Sequence, residues 1–283
     1  MSLRLQTPVE LRPSPGLLSC KDRILVLGSC FADETGRRLR EDGFQAVVNP
    51  FGTLYNPVSL CNAISRLASG VPFSEEDCVE MGAGAGLFCS FSHHTSFARE
   101  TPEAFLNHAN TQLAEAASAW EECTMVLLTL GSAWCFRRND TGETVANCLK
   151  RPAAEFTRYA LGVEQAETLL RRTLGRFPGK RFILSVSPIR HLADGAHGNQ
   201  LSKATLLLAV ERLGLPYFPA YEILLDELRD YRFYAEDMLH PSAQAADYIY
   251  ERFLEWSLSA DDRLTLDARR KLLRFEKHRP MHG

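Results

Sequence analysis

The stretch Ile24-Leu25-Val26-Leu27-Gly28-Ser29 constrains this chain more than any other. Four apolar residues in a row, all leucine or β-branched and bounded by glycine, have no polar face to turn to water. They read as a parallel strand buried on both sides. A helix pattern begins directly behind them. Asp33 and Glu34 fall in its first turn, Arg37, Arg38 and Arg40 toward its end, and Gly43 stops it, a charge order that suits the helix dipole. Ser29 is therefore expected at the carboxyl edge of a strand and the amino end of a helix, where open α/β sheets place their ligand crevices and helix amides can bind an oxyanion.

The same alternation runs through the rest of the chain. Val47-Val48 begins a short second strand. Pro57 opens a helix that ends near Gly70, proline being tolerated at a first helical position. Residues 102–119 read as a helix, Met125–Leu130 as a buried strand, 162–176 as a helix, and Phe182–Ser187 as a buried strand stopped by Pro188. A helix at about 200–213, a short strand at Tyr217-Phe218 and helices near 221–229 and 242–257 complete the core. Strand and helix in turn imply a parallel sheet with helices on both faces. Residues 71–101 and 133–158 interrupt the pattern and are expected as insertions over the sheet edge, within a single domain spanning 1–283 with its core at about 22–257. The run Met81-Gly82-Ala83-Gly84-Ala85-Gly86 has the wrong spacing for a dinucleotide fingerprint and reads as a turn.

Composition narrows the function classes. A net charge of −3 on 283 residues argues against nucleic acid as the main partner. No apolar run approaches the roughly 20 residues of a spanning helix, and Met1 to Arg12 holds no signal-peptide core, so a cytoplasmic protein with no membrane partner is expected. The eight cysteines form no CxxC pair, which speaks against a zinc site and for free thiols. No metal and no cofactor is expected.

A serine needs a base to become a nucleophile, and the base needs an orienting carboxylate. Asp237-Met238-Leu239-His240-Pro241-Ser242 supplies both. The three-residue spacing lets the carboxylate reach one imidazole nitrogen while the other faces the serine. Pro241 leads into the last core helix, whose apolar face includes Ala245, Ile249, Phe253 and Trp256. The plainer readings are Ser29 as a helix N-cap and His240 as a capping residue beside an exposed Asp237. Cys30, next to Ser29, is the lesser candidate nucleophile, because adjacent side chains leave a strand end in different directions and thiols are commonly buried.

Gly28-Ser29-Cys30-Phe31-Ala32 resembles the name-giving motif of the GSCFA family, grouped with the SGNH (GDSL-like) hydrolases. Asn49-Pro50-Phe51-Gly52-Thr53-Leu54-Tyr55-Asn56-Pro57, Thr129-Leu130-Gly131-Ser132-Ala133-Trp134, Ser187-Pro188-Ile189-Arg190-His191 and Asp237–Ser242 are similar to its later segments, in order, over roughly residues 22–257. The resemblance implies a flavodoxin-like three-layer α/β/α sandwich with a parallel sheet of about five strands. It also implies ester hydrolysis through an acyl-serine. Ser29 then matches the nucleophile, His240 the base, at hydrogen-bond distance from it, and Asp237 the orienter. The oxyanion would be held by the amides of Ser29 and Gly52 and by an asparagine side chain from the third segment. That segment has Gly131-Ser132-Ala133 instead, with no amide side chain, and Asn56, Asn49 and Ser132 are the candidate substitutes. Losing one such donor can cost roughly 2.7–4 kcal/mol in the transition state.

Around this set, Asn49, Ser132, Trp134, His94 and His191 are candidate substrate contacts, with Trp134 equally able to pack in the core and His93 or His94 able to enter the pocket. Arg190 would bind an anionic group or pair with a surface carboxylate. Asn199, Ser202 and Lys203 would open a helix and cap it. The basic tail 261–283, with Leu264, Leu266, Leu272 and Leu273 as an apolar stripe, is expected as a helix packed on the domain. The lead expectation is an esterase removing a small acyl group, acetyl among the candidates, from a carbohydrate or related metabolite. The alternatives are an O-acyltransferase on the same site and a non-catalytic carbohydrate-binding protein.

Overall fold

Both faces of one five-stranded sheet are covered, which is why its strands can be apolar from end to end. In the computed structural model, which describes residues 7–12 and 14–277, β1 (Arg23–Gly28), β2 (Gln45–Val48), β5 (Met125–Leu130), β9 (Arg181–Val186) and β10 (Tyr217–Phe218) pair in parallel in the order β10-β9-β5-β1-β2. The register sets Ile24 beside Met125 and Gly28 beside Thr129, then Met125 beside Arg181 and Leu130 beside Val186. The order reverses between β1 and β5, so the crevice of this flavodoxin-like arrangement lies at their carboxyl ends.

Strand side chains alternate between two cores. Leu25, Leu27, Val126, Leu128 and Leu184 pack with Leu60, Ile64, Leu113 and Leu170, from α2 (Pro57–Ser69), α3 (Pro102–Glu122) and α4 (Val163–Leu174); α5 (Gly195–Leu213) joins this face through Leu206. Ile24, Val26, Met125 and Ile183 pack with Leu39, Ile249 and Phe253, from α1 (Cys30–Glu41) and α7 (Ala243–Ser257). Each fully buried aliphatic side chain contributes about 1.5–3 kcal/mol. Gly28, at φ 151°, runs so close to β5 that a Cβ there would lie 2.3 Å from the Thr129 carbonyl oxygen.

Helix starts and stops follow the sequence. Ser29 caps α1. Asn56 caps α2 ahead of Pro57, and Gly70 ends it in the left-handed region. A short α6 (Ala220–Glu222) continues as a π turn over Ile223–Glu227 in place of one regular helix. α8 (Ala260–Lys277) packs on the end of α1: Leu266 is buried, and Arg270 pairs with Asp42 and Glu251. Leu264 and Leu272 remain exposed, so the tail's apolar stripe narrows to Leu266 with Leu273 half-buried. Residues 1–6, Pro13 and 278–283, including Arg279, lie outside the described residues.

The two interruptions are more regular than their sequences suggest. Residues 71–101 hold a small hairpin of β3 (Val79–Glu80) and β4 (Phe88–Cys89), and 133–158 seed a three-stranded antiparallel sheet of β6 (Trp134–Arg138), β7 (Thr144–Val145) and β8 (Phe156–Ala160). β6 and β8 mix aromatic residues with arginine, and β3, β4 and β7 are two residues each, so no apolar run announces them. Guanidinium stacking replaces a dry face: Arg158 lies 4.1 Å from the Trp134 ring and Arg138 4.7 Å from Phe91.

Candidate active site

At the β1–α1 junction two adjacent side chains take opposite environments. Ser29 is fully buried. Its hydroxyl bonds Ser187 Oγ at 2.9 Å and accepts from Phe31 N at 3.3 Å, the N-cap geometry. Its amide donates to the Thr129 carbonyl. Cys30, the first residue of α1, is half-buried, and its Sγ lies 3.4 Å from the Tyr55 hydroxyl. Cys30 and His240 line one cavity of about 350 Å³ together with Phe31, Ile189, Pro241 and Ala246, with Asp33 and Glu34 also on its wall. Larger hollows, of about 620 and 1000 Å³, lie between α2 and the insertions and beside Glu227, away from this junction.

The loop before α7 carries the histidine. His240 Nδ1 lies 2.6 Å from Asp237 Oδ2, while Asp237 Oδ1 accepts from Leu239 N at 2.9 Å and His240 N at 3.0 Å. These backbone amides, followed by the imidazole, hold the Asp237 carboxyl down to about 2. Met238 makes the tight turn at φ 58°. Several ties fix the loop: Ser242 caps α7, Ala235 N bonds His240 O, and Arg190 N bonds Leu239 O. The Arg190 guanidinium reaches Met238 O and stacks 4.1 Å over Tyr234, so this arginine steadies the loop rather than pairing with a carboxylate. The Asp237 and His240 side chains are 45% and 43% exposed, and His240 lines the cavity.

Behind this junction lie the ends of β5 and β9. His191 meets the Tyr55 ring edge-on at 5.6 Å, and its Nε2 is buried without a partner. A Cβ on Gly131 would stand 3.4 Å from that nitrogen. Burial, with Lys203 adding to it, pulls His191 down to about 4, so its ring is neutral at physiological pH. Burial and the Cys30 contact push the Tyr55 phenol up to about 12, so it keeps its proton. Beneath them Lys203 is completely buried, its Nζ donating to Gly131 O at 2.6 Å and Ser187 O at 2.8 Å. Burial pulls its ammonium down to about 7.

The sequence-derived site divides accordingly. Asp237 and His240 come together as expected from their spacing. The expected Ser29–His240 hydrogen bond is not formed; Ser187 and the start of α1 take the serine hydroxyl. The Ser29 and Gly52 amides, expected as oxyanion donors, are committed to Thr129 O and Asn49 O. Asn56 Oδ1 caps α2 through Ser59 N. Asn49 accepts from Gly28 N at 2.8 Å and donates to Asp33 at 2.6 Å, tying the first two segments together. Ser132 turns to Ser202 and Trp134 N, and Trp134 packs under Arg158 in the insertion sheet. His94 caps a helical turn through Ser96. His93 is sealed among Phe73, Phe97 and Phe105, with Nδ1 2.6 Å from Ser90 Oγ, so it belongs to the core. Asn199, Ser202 and Lys203 lie inside α5, which starts four residues earlier than Asn199, and face the site as supports rather than as a cap. Tyr55 and Ser187 also join the site, from within the motif segments, through partners far away in sequence. All eight cysteines are free. Among the described residues, no cluster of three His, Cys, Asp or Glu is placed to hold a metal ion, and no helix is long and apolar enough to cross a membrane.

Comparison with known proteins agrees with the sequence segments. The model of the GSCFA family matches residues 23–253. No curated protein and no solved structure matches significantly.

Proposed function

The chain belongs to the GSCFA family, and from that premise we propose that it is a carboxylic ester hydrolase working through an acyl-enzyme. The observation that carries this reading is the Asp237–His240 pair, bonded at 2.6 Å, with the imidazole lining a cavity at the amino end of α1. Asp237 fixes the ring so that Nε2 exchanges the proton. A side chain of the β1–α1 junction takes the acyl group. The neutral His191 ring, whose unpartnered Nε2 is buried beside Gly131, would take the place of the missing asparagine amide in its Nε2–H tautomer once bound substrate uncovers it. The small cavity with Phe31, Ile189, Pro241 and Ala246 suits a short acyl group such as acetyl. Asp33 and Glu34 favour a neutral, hydroxyl-rich alcohol, a carbohydrate or related metabolite, over an anionic one.

The test is hydrolysis of p-nitrophenyl acetate and acetylated sugars. His240→Ala should lower kcat/KM by about 10²–10⁴-fold. Equal rates for wild type and His240→Ala would sink the reading. An added sugar acceptor separates hydrolysis from acyl transfer, since both use one intermediate. A second reading, a carbohydrate-binding protein with a degenerate site, is favoured by the Ser29 and Gly52 amides being engaged elsewhere. Calorimetric binding of an intact acetylated sugar with no turnover would select it.

A further inference from the structure

We infer that the group attacking the substrate is the thiol of Cys30, so that the acyl-enzyme is a thioester rather than an ester of Ser29. This rests on the acyl-transfer reading of the Asp237–His240 site and names its nucleophile.

Access decides first. A nucleophile must reach a carbonyl carbon and return its proton to a base. Ser29 is fully buried, its hydroxyl already shared between Ser187 Oγ and Phe31 N. Cys30 is half-buried and lines the same cavity as His240. Its surroundings suit a sulfur that gains negative charge. Cys30 is the first residue of the twelve-residue α1, at the positive end of the helix dipole. The Tyr55 hydroxyl, which keeps its proton, stands 3.4 Å from Sγ and can donate to it. Opposing charge is limited: Glu34 on the cavity wall is paired with Arg37 and Arg38, and Asp33 is bonded to Asn49. Cysteine is also the more intrinsically nucleophilic of the two residues, which lessens the dependence on a full set of oxyanion donors.

The step balances without a further reactant. His240 Nε2 accepts the Cys30 proton as the S–C bond forms and the carbonyl π pair moves onto oxygen. The pair returns as the C–O bond to the alcohol breaks, and the alkoxide takes the proton from His240. Water then adds to the thioester with its proton passing to Nε2, and the S–C bond breaks to release the acid and restore the thiol.

The experiment pairs alkylation with acyl trapping. Iodoacetamide at pH 7, followed by peptide mapping, should label Cys30 first. Cys20, Cys78 and Cys148, also half-buried, lie in surroundings that raise their thiols and should react later. His240→Ala should slow labelling of Cys30 by about tenfold or more. With p-nitrophenyl acetate, mapping of quenched wild type should find the acetyl group on Cys30, labile to neutral hydroxylamine, and Cys30→Ala should lose it. Acetyl on Ser29, lost in Ser29→Ala and kept in Cys30→Ala, overturns the assignment while leaving the hydrolase reading intact. Cys30 labelling no faster than Cys78, and indifferent to His240, overturns it also. Preferential, His240-dependent labelling of Cys30 without turnover of any ester supports the nucleophile and counts against the ester substrates.

Discussion

The floor and the rim of the crevice hold equally polar residues and treat them oppositely. On the floor Ser29, Ser187 and Lys203 are fully buried, and each polar atom meets another protein atom. On the rim Asp237 and His240 stand half open, and only the face of His240 toward Asp237 is engaged. A buried polar atom without a partner costs about 1–3 kcal/mol, so the floor is satisfied internally and has nothing left to offer a substrate. On the proposed reading, chemistry falls to the open His240 Nε2 and Cys30 Sγ and to the buried but unpaired His191 Nε2.

Removing a floor group should therefore cost stability, and Lys203 is the severest case. Lys203→Met keeps the length but leaves the Gly131 and Ser187 carbonyls without their donor, at the two strand ends that carry the site. We expect a loss of about 4 kcal/mol in urea unfolding at pH 7. A loss below about 1 kcal/mol would mean that the floor is not held by this amine, and the division between the two regions would fail.

The histidines sharpen the same contrast through pH. Burial pulls His93 down to about 3, whereas an unfolded chain binds the proton near an ordinary 6.5. Between those values the unfolded state holds more protons, so stability falls as pH drops from about 6.5 toward 3. His191, pulled down to about 4, adds a smaller effect of the same sign. At pH 4 the His93 share is about 3 kcal/mol. In urea titrations at pH 7 and pH 4, His93→Phe should shrink the acid loss by that amount. An unchanged loss would show that the imidazole charges without leaving its aromatic cage.

How much of this was legible depended on how local each cause is. Strands β1, β5 and β9 could be read because burial on both faces leaves an apolar run, and α1 and α2 because their signals are local: the charge order and Gly43 for one, Pro57 and Gly70 for the other. The Asp237–His240 pair needed only three residues of chain. What escaped depends on distant partners: Ser29 is claimed by Ser187, 158 residues on, and Gly28 N by Asn49. One local clue was available. A serine that caps a helix folds its hydroxyl back onto that helix, which leaves the next residue, Cys30, at the opening.

His191 tests the boundary between the two regions, its Nε2 being buried like the floor but unpaired. His191→Phe retains a ring against Tyr55 and removes the unpartnered Nε2. We expect kcat to fall about 10–100-fold with KM little changed, since the donor acts on charge that develops in the transition state. A rise in KM alone would make His191 a binding contact and weaken its part in the oxyanion site.

Ser29→Ala gives the smallest effect and the sharpest separation. The substitution removes the α1 cap and the bond to Ser187, whose hydroxyl still accepts from Ile189 N. Loss of an N-cap costs about 1 kcal/mol, so the melting midpoint should fall by a few degrees. Turnover should suffer less than in Cys30→Ala, because the serine hydroxyl is engaged by Ser187 and Phe31 N. Should Ser29→Ala instead lose turnover by 10²-fold or more at unaltered stability, the serine would have to leave Ser187 when substrate binds. The floor would then be part of the machinery, and the line between a sealed floor and a reactive rim would be one the substrate redraws.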